Sequence, residues 1–227
     1  MVVVGHRGCA LLEPENTLRG FRRAFELGCD YVETDVRFTR DGALILMHDE
    51  RVDRTTSGTG RVCDLTLREL QALDAGKGER APTFLELLHI LPEPVQLLCE
   101  LKGEGVESAA VAAVREAGMQ ERVVFTCFHL DRIRAVKAID ASLRTGAIFS
   151  EPSPGWATIA ASAGAEGVGI HFRHHTRELI DEAHRHGLII RAWNPDAVAD
   201  IQRTIDLGPD GISSNRPDLV LQLLGRA

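Results

Sequence analysis

The 227-residue sequence has five cysteines, at positions 9, 29, 63, 99 and 127, and no C-x-x-C pair among them. Their odd number, and their place mostly inside apolar stretches, argue against a disulfide framework and fit buried thiols in a reducing compartment. No run approaches the ~18 apolar residues that a membrane helix needs, and there is no amphipathic membrane helix or long apolar loop to seat an acyl chain. No basic leader or cleavage site opens the chain at Met1-Val2-Val3-Val4, so the cytoplasm is the expected location. A block of basic residues is also missing: 26 Lys plus Arg stand against 33 Asp plus Glu, for a formal charge of −7. That excludes nucleic acid as a bulk electrostatic partner, because phosphate neutralisation needs clustered cations. Low-complexity segments are absent as well. The 44% hydrophobic content is that of an ordinary globular protein. At lengths of ~200 to 250 residues, barrels form single domains, and one domain over residues 1–227 is expected.

The organisation shows in a recurring punctuation, in which a helix-period stretch stops at a glycine and a short β-branched run follows. Leu18, Phe21 and Phe25 share a helical face that stops at Gly28, and Tyr31-Val32 then opens a strand. Gly118, Gly164, Gly187 and Gly208 precede strand runs in the same way. Strands alternating with helices mean βα units and a parallel sheet. The strand runs are apolar nearly throughout, as expected when both faces are covered, so a closed barrel or a doubly wound sheet fits. Nine candidate strands are predicted, over 2–5, 31–36, 43–47, 95–101, 122–126, 143–148, 167–170, 188–193 and 210–213. A (β/α)8 barrel needs eight, so one is miscalled or accessory. Residues 36–42, with Asp41-Gly42 as a turn, are too few for a crossover helix. Residues 50–82 show little strand pattern and read as an excursion beyond the barrel.

The reactive residue types follow the strand runs or sit at their ends. Val2-Val3-Val4 leads into His6-Arg7, Tyr31-Val32 into Glu33-Thr34-Asp35, Leu44 to Met47 into His48-Asp49, and Gln96 to Cys99 into Glu100-Leu101-Lys102. In a parallel barrel such ends converge on one mouth. Side chains two apart on a strand point the same way, roughly 6.6 Å apart at ~3.3 Å rise per residue, which pairs Glu33 with Asp35 and Glu100 with Lys102. Three such carboxylates repel one another unless they bind a cation, and all-oxygen ligation points to one Mg²⁺ or Ca²⁺ rather than zinc. Arg7 and Lys102 beside that ion make a pocket suited to phosphate. His6 and His48, read as lying on neighbouring strands, suit proton transfer near neutral pH. Asp49 reads as an orienting or capping group. Arg54-Thr55-Thr56 reads as a turn network or a substrate contact.

This string of motifs resembles the glycerophosphodiester phosphodiesterase family. The matching residues are His6-Arg7-Gly8, Pro14-Glu15-Asn16-Thr17, Glu33-Thr34-Asp35-Val36, Asp41-Gly42, His48-Asp49, Arg54-Thr55-Thr56 with Gly58 and Gly60, and Glu100-Leu101-Lys102. Beyond residue 102 the match thins to Trp193-Asn194, Asp210-Gly211-Ile212 and Arg216-Pro217-Asp218. The resemblance implies a TIM-type barrel with a small insertion after the third strand, a divalent metal, and hydrolysis of small glycerophosphodiesters to glycerol 3-phosphate and an alcohol. It makes Glu33, Asp35 and Glu100 the metal ligands, His6 and His48 the general acid and base, and Arg7 and Lys102 the phosphate contacts. It also implies attack by the glycerol 2-hydroxyl through a cyclic phosphate that water then opens. Trp193 is either a wall for the glycerol or headgroup or a packed strand end. Two departures stand out: Trp193-Asn194-Pro195-Asp196 is shortened relative to the family's Trp motif, and Ser214-Asn215 replaces the usual Thr-Asp. Both lie far from the metal motifs in sequence, which ties them to substrate fit rather than chemistry.

Three rival readings keep or move the site. A lysophospholipase-D-like or sphingomyelinase-D-like enzyme would use the same groups on lipid phosphodiesters, but nothing in the chain seats an acyl tail. A noncatalytic phosphodiester-binding barrel would not require two proton-transfer groups. A zinc protein built on His171, His174 and His175, with His184 and His186 nearby, has no Cys at ligand spacing, and its histidines read as a solvated loop and helix.

Overall fold

The computed structural model describes residues 1–226. Among them are the strands β1 (Val2–Gly5), β2 (Tyr31–Phe38), β3 (Leu44–Leu46), β4 (Gln96–Leu101), β5 (Val123–Cys127), β6 (Arg144–Phe149), β7 (Gly167–His171), β8 (Ile189–Trp193) and β9 (Gly211–Ser214). The helices are α1 (Leu18–Leu27), α2 (Leu67–Gln71), α3 (Phe84–Ile90), α4 (Glu107–Glu116), α5 (Leu130–Ile139), α6 (Trp156–Ser162), α7 (Arg177–Arg185), α8 (Val198–Leu207) and α9 (Pro217–Leu223). Every predicted strand exists. Eight of them run parallel in the order β1-β9-β8-β7-β6-β5-β4-β2, and β1 pairs back onto β2 through Val4–Tyr31 and Gly5–Val32. That last pairing closes a (β/α)8 barrel and removes the exposed edges of an open sheet.

The accessory strand is β3. It pairs antiparallel with the far end of β2, Val36 opposite Leu46 and Phe38 opposite Leu44. The turn between them is short because Thr39 N–H bonds to the Ala43 carbonyl at 2.9 Å, and antiparallel partners need no crossover. The insertion therefore follows the third strand of the chain but the second strand of the barrel.

Local signals set the helix ends. The Thr17 hydroxyl accepts from Gly20 N–H at 3.1 Å and opens α1, and Gly28 closes it at φ 85°, a left-handed conformation that a side chain disfavours. Helix α3 starts at a reciprocal Thr83–Glu86 capping box. One large apolar core lies between strands and helices, and a smaller layer of Val4, Tyr31, Leu98 and Val124 fills part of the barrel interior.

The insertion has its own small core of Ile45, Met47, Val52, Val62, Leu70 and Ala81. Leu70 is fully buried there. Leu70→Ala is expected to cost about 2–5 kcal/mol, the range for a buried leucine whose cavity does not collapse. A urea unfolding midpoint unchanged from that of the parent protein would show that the insertion contributes nothing to global stability.

Candidate active site

The mouth of the barrel is assembled from several groups of residues. The first is the turn after β1. His6 N–H extends the ladder by bonding to the Ser214 carbonyl at 3.0 Å, and the chain then turns sharply through Arg7 at φ 49° and Gly8 at φ 86°. A Cβ on Gly8 would sit 2.7 Å from the Gly20 backbone, so only glycine fits that close approach. Arg7 holds a conformation that non-glycine residues rarely adopt, and such strain persists only where neighbours enforce it. Here Arg7 N–H donates to Glu33 Oε2 at 3.0 Å, while the guanidinium reaches Glu15 at 3.0 Å and Asp35 at 3.3 Å.

The second is the carboxylate cluster, drawn from β2 and β4. Glu33 and Asp35 share a face of β2, and Asp35 stands opposite Glu100 in the β2–β4 register. Glu33, Asp35 and Glu100 each offer an oxygen within 4.8 Å of the others, and all three are buried. Glu33 Oε1 and Asp35 Oδ1 have no hydrogen-bond partner. Burial, then the neighbouring carboxylates, push Glu33 well above the usual range and Glu100 up to about 7. Orphaned, mutually repelling anionic oxygens are what a hard divalent cation would satisfy. The residues present therefore fit a metal ion, and this is the group among the described residues that could hold one. Asn16 fixes the cluster from the side, donating to Asp35 Oδ2 at 3.0 Å and accepting from the Thr34 hydroxyl at 2.8 Å. Lys102 Nζ lies 2.7 Å from Glu100 and 4.0 Å from Asp35.

The third brings in His48, and by a different route from the one its sequence position suggests. His48 is not on a strand beside β1, because β3 is the antiparallel accessory strand and its own partner is β2. The β2–β3 hairpin rises past the mouth and returns, and Met47 N–H bonds to the Asp35 carbonyl at 3.0 Å. Arg37 pins the turn with two bonds to the His48 carbonyl, at 3.0 and 2.8 Å. His48 Nδ1 meets Asp49 Oδ1 at 2.6 Å. Burial lowers the His48 pKa, reinforced by Arg7 and Lys102 and opposed by Asp35 and Asp49.

The two departures at Trp193–Asp196 and Ser214-Asn215 meet in space around the His6 ring. His6 Nδ1 lies 2.7 Å from Asn215 Oδ1, and Asn215 Nδ2 donates to Asp196 Oδ2 at 2.7 Å. With the amide nitrogen committed to Asp196, the amide oxygen faces the imidazole and accepts from Nδ1–H, leaving Nε2 with its lone pair. Nε2 lies 3.3 Å from Asn194 Nδ2 and 3.7 Å from Glu33. Burial, then Arg7, push the His6 pKa down to about 4.

His6, Arg7, Glu33, His48, Glu100, Lys102 and Trp193 all line one pocket. Trp193 meets Phe128 and His171 edge-on at 6.0 and 4.9 Å between centroids, and Lys102 lies 5.1 Å over the Phe128 ring. The histidines of the zinc reading do not converge. His175 is buried rather than solvated and bonds to the Ile170 carbonyl at 3.1 Å, and His184 pairs with Asp210 at 3.1 Å.

Arg54, read from the sequence as part of a turn network or as a substrate contact, ties the two sides of the mouth together. Arg54 forks onto Glu15 at 2.8 and 2.8 Å and onto Asp49 at 2.7 and 3.1 Å. Glu15 in turn holds Arg7, so the chain His48–Asp49–Arg54–Glu15–Arg7 spans the site. The motif spellings carried Glu15 and Arg54, but no spacing rule pairs residues 39 apart. Arg54→Ala is expected to lower kcat by roughly tenfold, with partial recovery in Arg54→Lys, which keeps the charge and loses the fork. Steady-state rates at saturating substrate check this, and an unchanged kcat in Arg54→Ala would mean that Asp49 and Arg7 hold their places without it.

A (β/α)8 barrel with a buried carboxylate cluster able to hold a cation, flanked by two imidazoles and two fixed positive charges, is the class of protein these features define. Within that class the chain belongs to the glycerophosphoryl diester phosphodiesterase family, whose model matches residues 6–219. It is 34% identical over 240 residues to the glycerophosphodiester phosphodiesterase of Caldanaerobacter subterraneus subsp. tengcongensis, covering 98% of this chain and 97% of that one. The glycerophosphodiester phosphodiesterase structure from Agrobacterium tumefaciens matches with a TM-score of 0.86 at 28% identity, over 98% of this chain and 99% of that one. A phosphodiesterase from Oleispira antarctica, solved with the product sn-glycerol-3-phosphate, matches with a TM-score of 0.91 at 26% identity, over 99% and 97%.

Proposed function

We propose that residues 1–227 act as one phosphodiesterase domain that hydrolyses small glycerophosphodiesters to glycerol 3-phosphate and an alcohol. The observation that carries this reading is the junction of a cation-ready carboxylate cluster with two oriented imidazoles in one pocket. The product named in the Oleispira antarctica complex supports the substrate class. Glu33, Asp35 and Glu100 would hold one Mg²⁺ or Ca²⁺, which when bound supplies positive charge for the phosphoryl oxygens. Arg7 and Lys102 would contact the phosphate, and Trp193 would wall the glycerol or headgroup.

His6, with a neutral amide on Nδ1, is suited to act first as base. Its Nε2 takes the proton of the glycerol 2-hydroxyl as that oxygen attacks phosphorus. The bond from phosphorus to the alcohol breaks, and His48 Nε2–H supplies the proton to the departing oxygen, with Asp49 steadying the ring through Nδ1. Water then attacks the cyclic phosphate. His48 takes the water proton and His6 returns the first proton to the 2-oxygen, so both imidazoles end as they began.

Free cysteines and a charge of −7 are in keeping with a cytoplasmic enzyme that does not bind nucleic acid. No helix among the described residues is long and apolar enough to cross a membrane. The deciding experiment is release of glycerol 3-phosphate from glycerophosphocholine, glycerophosphoethanolamine and glycerophosphoglycerol, with EDTA, Mg²⁺ and Ca²⁺ as variables. Cation-dependent release is expected. No release from folded protein with either ion would overturn the reading, and a lysophospholipid panel would then test the lipid alternative.

A further inference from the structure

The pocket does not end at the carboxylates. It continues into the barrel on the β6–β8 side, where Gly146, Gly167 and Gly169 present no side chain, and it reaches Arg191 of β8. Arg191 is only 8% exposed. Its stem crosses Gly211 and its Nη1 lies over Gly167, in each case 3.3 Å from where a Cβ would stand, so the two glycines make room for it.

This guanidinium is poorly matched by the protein. Its Nε has no hydrogen-bond partner, and among the described residues no carboxylate lies within the 4.0 Å of an ion pair. The acid whose charge reaches it, Asp210, already accepts from Ile190 N–H at 2.8 Å and pairs with His184. A second cation, Arg144, repels it. Tyr31 offers the face of its ring, 5.3 Å away, and its hydroxyl as a hydrogen-bond partner, but no carboxylate. Two residues along the same strand, the buried Trp193 Nε1–H also lacks an acceptor. A desolvated cation is retained at large cost unless an anion joins it. Unpartnered donors here face a space that glycines keep open.

We propose that the hollow beneath the catalytic mouth is a subsite for a small oxyanion, a carboxylate or a phosphate, held by Arg191 with Trp193 Nε1–H as a second donor. This rests on the phosphodiesterase reading of the mouth above it. The oxyanion has two sources, a carboxylate on the alcohol arm of the substrate, as in glycerophosphoserine, or free inorganic phosphate.

The test compares the parent protein with Arg191→Met and Arg191→Lys, each loaded with Mg²⁺. One arm measures kcat/KM for glycerophosphoserine against glycerophosphoethanolamine. The other measures inhibition of glycerophosphoethanolamine cleavage by inorganic phosphate. If the substrate is the source, the serine-to-ethanolamine ratio falls about tenfold in Arg191→Met and is largely kept in Arg191→Lys; if phosphate is the source, its inhibition constant rises by about that factor instead. An unchanged ratio together with an unchanged inhibition constant overturns the subsite. No cleavage of glycerophosphoethanolamine by the folded parent overturns the phosphodiesterase reading instead. Should Arg191→Met fail to fold, the Trp193 indole N–H resonance of the parent protein decides. Its displacement on titrating inorganic phosphate or sodium acetate under EDTA supports the subsite, and its constancy with both overturns it.

Discussion

His48→Ala and His6→Ala are each expected to lower turnover by about 10²- to 10⁴-fold, the range for loss of a positioned general acid or base. Each imidazole serves once as acid and once as base in the proposed sequence, so the double variant is expected to lose little more than either single variant. The two can be told apart by the leaving group. A p-nitrophenyl ester of glycerol 3-phosphate departs without protonation, so His48→Ala should recover most of its first-step rate on that substrate and His6→Ala should not. Burst-phase release of nitrophenol measures this step, and equal recovery in both variants would contradict the assigned order. Near-normal turnover of either folded variant on glycerophosphoethanolamine would sink the acid–base assignment itself.

The second large effect is expected at the carboxylates. Glu33→Ala should remove activity and the response to added cation together, by more than about 100-fold, because it deletes an oxygen donor and a third of the cluster's charge. Activity that still rises with Mg²⁺ or Ca²⁺ would mean a different ligand set. Stability should report the same cluster without any substrate. In the cation-free protein the folded-state pKa of Glu100 stands at about 7 against an ordinary 4.5, and that of Glu33 is also raised. At these two carboxylates the native state then holds more protons than the unfolded chain, so their contribution to stability falls as pH rises from about 4.5 towards 7, while the lowered His6 contributes in the opposite direction with or without the cation. A bound cation favours the ionised cluster and offsets this loss. The Tm gained on adding Mg²⁺ or Ca²⁺ should therefore be larger at pH 8 than at pH 5. Equal gains at both pH values would show that the ion binds elsewhere.

The strands were legible because a closed parallel barrel covers both faces of each one, which writes them as short apolar runs between helix-stopping glycines. Residues 43–47 carry the same local signature as the barrel strands. Only the register of Leu44 against Phe38 makes that segment antiparallel and accessory. The carboxylate cluster was legible for a related reason. Alternation on β2 sets Glu33 and Asp35 on one face, and convergence of strand ends brings Glu100 to them. The approach of His48 was not legible, since it depends on a hairpin that leaves the mouth and returns to it.

Pairings across the seam where the barrel closes were hidden more deeply. Asn215 lies 209 residues from His6, and Arg226 lies 196 from Asp30, so such pairs exist only once the last βα unit has closed on the first. Arg191 has the clearest separation of the two levels. Its place on an inward strand position follows from alternation, yet its missing counter-ion depends on Gly167, Gly211, Tyr31 and Asp210 meeting it in space.

By itself the sequence determined the βα rhythm, the residue types gathered at the mouth and the charge pattern that calls for a cation, because these follow from local periodicity and from strand direction. The tertiary structure decided which strand stands outside the barrel, which face of His6 is left free, how Arg54 ties Asp49 to Glu15, and how far the pocket descends. Those depend on pairings between residues far apart in the chain, and a pairing energy at that separation is set only when the barrel closes.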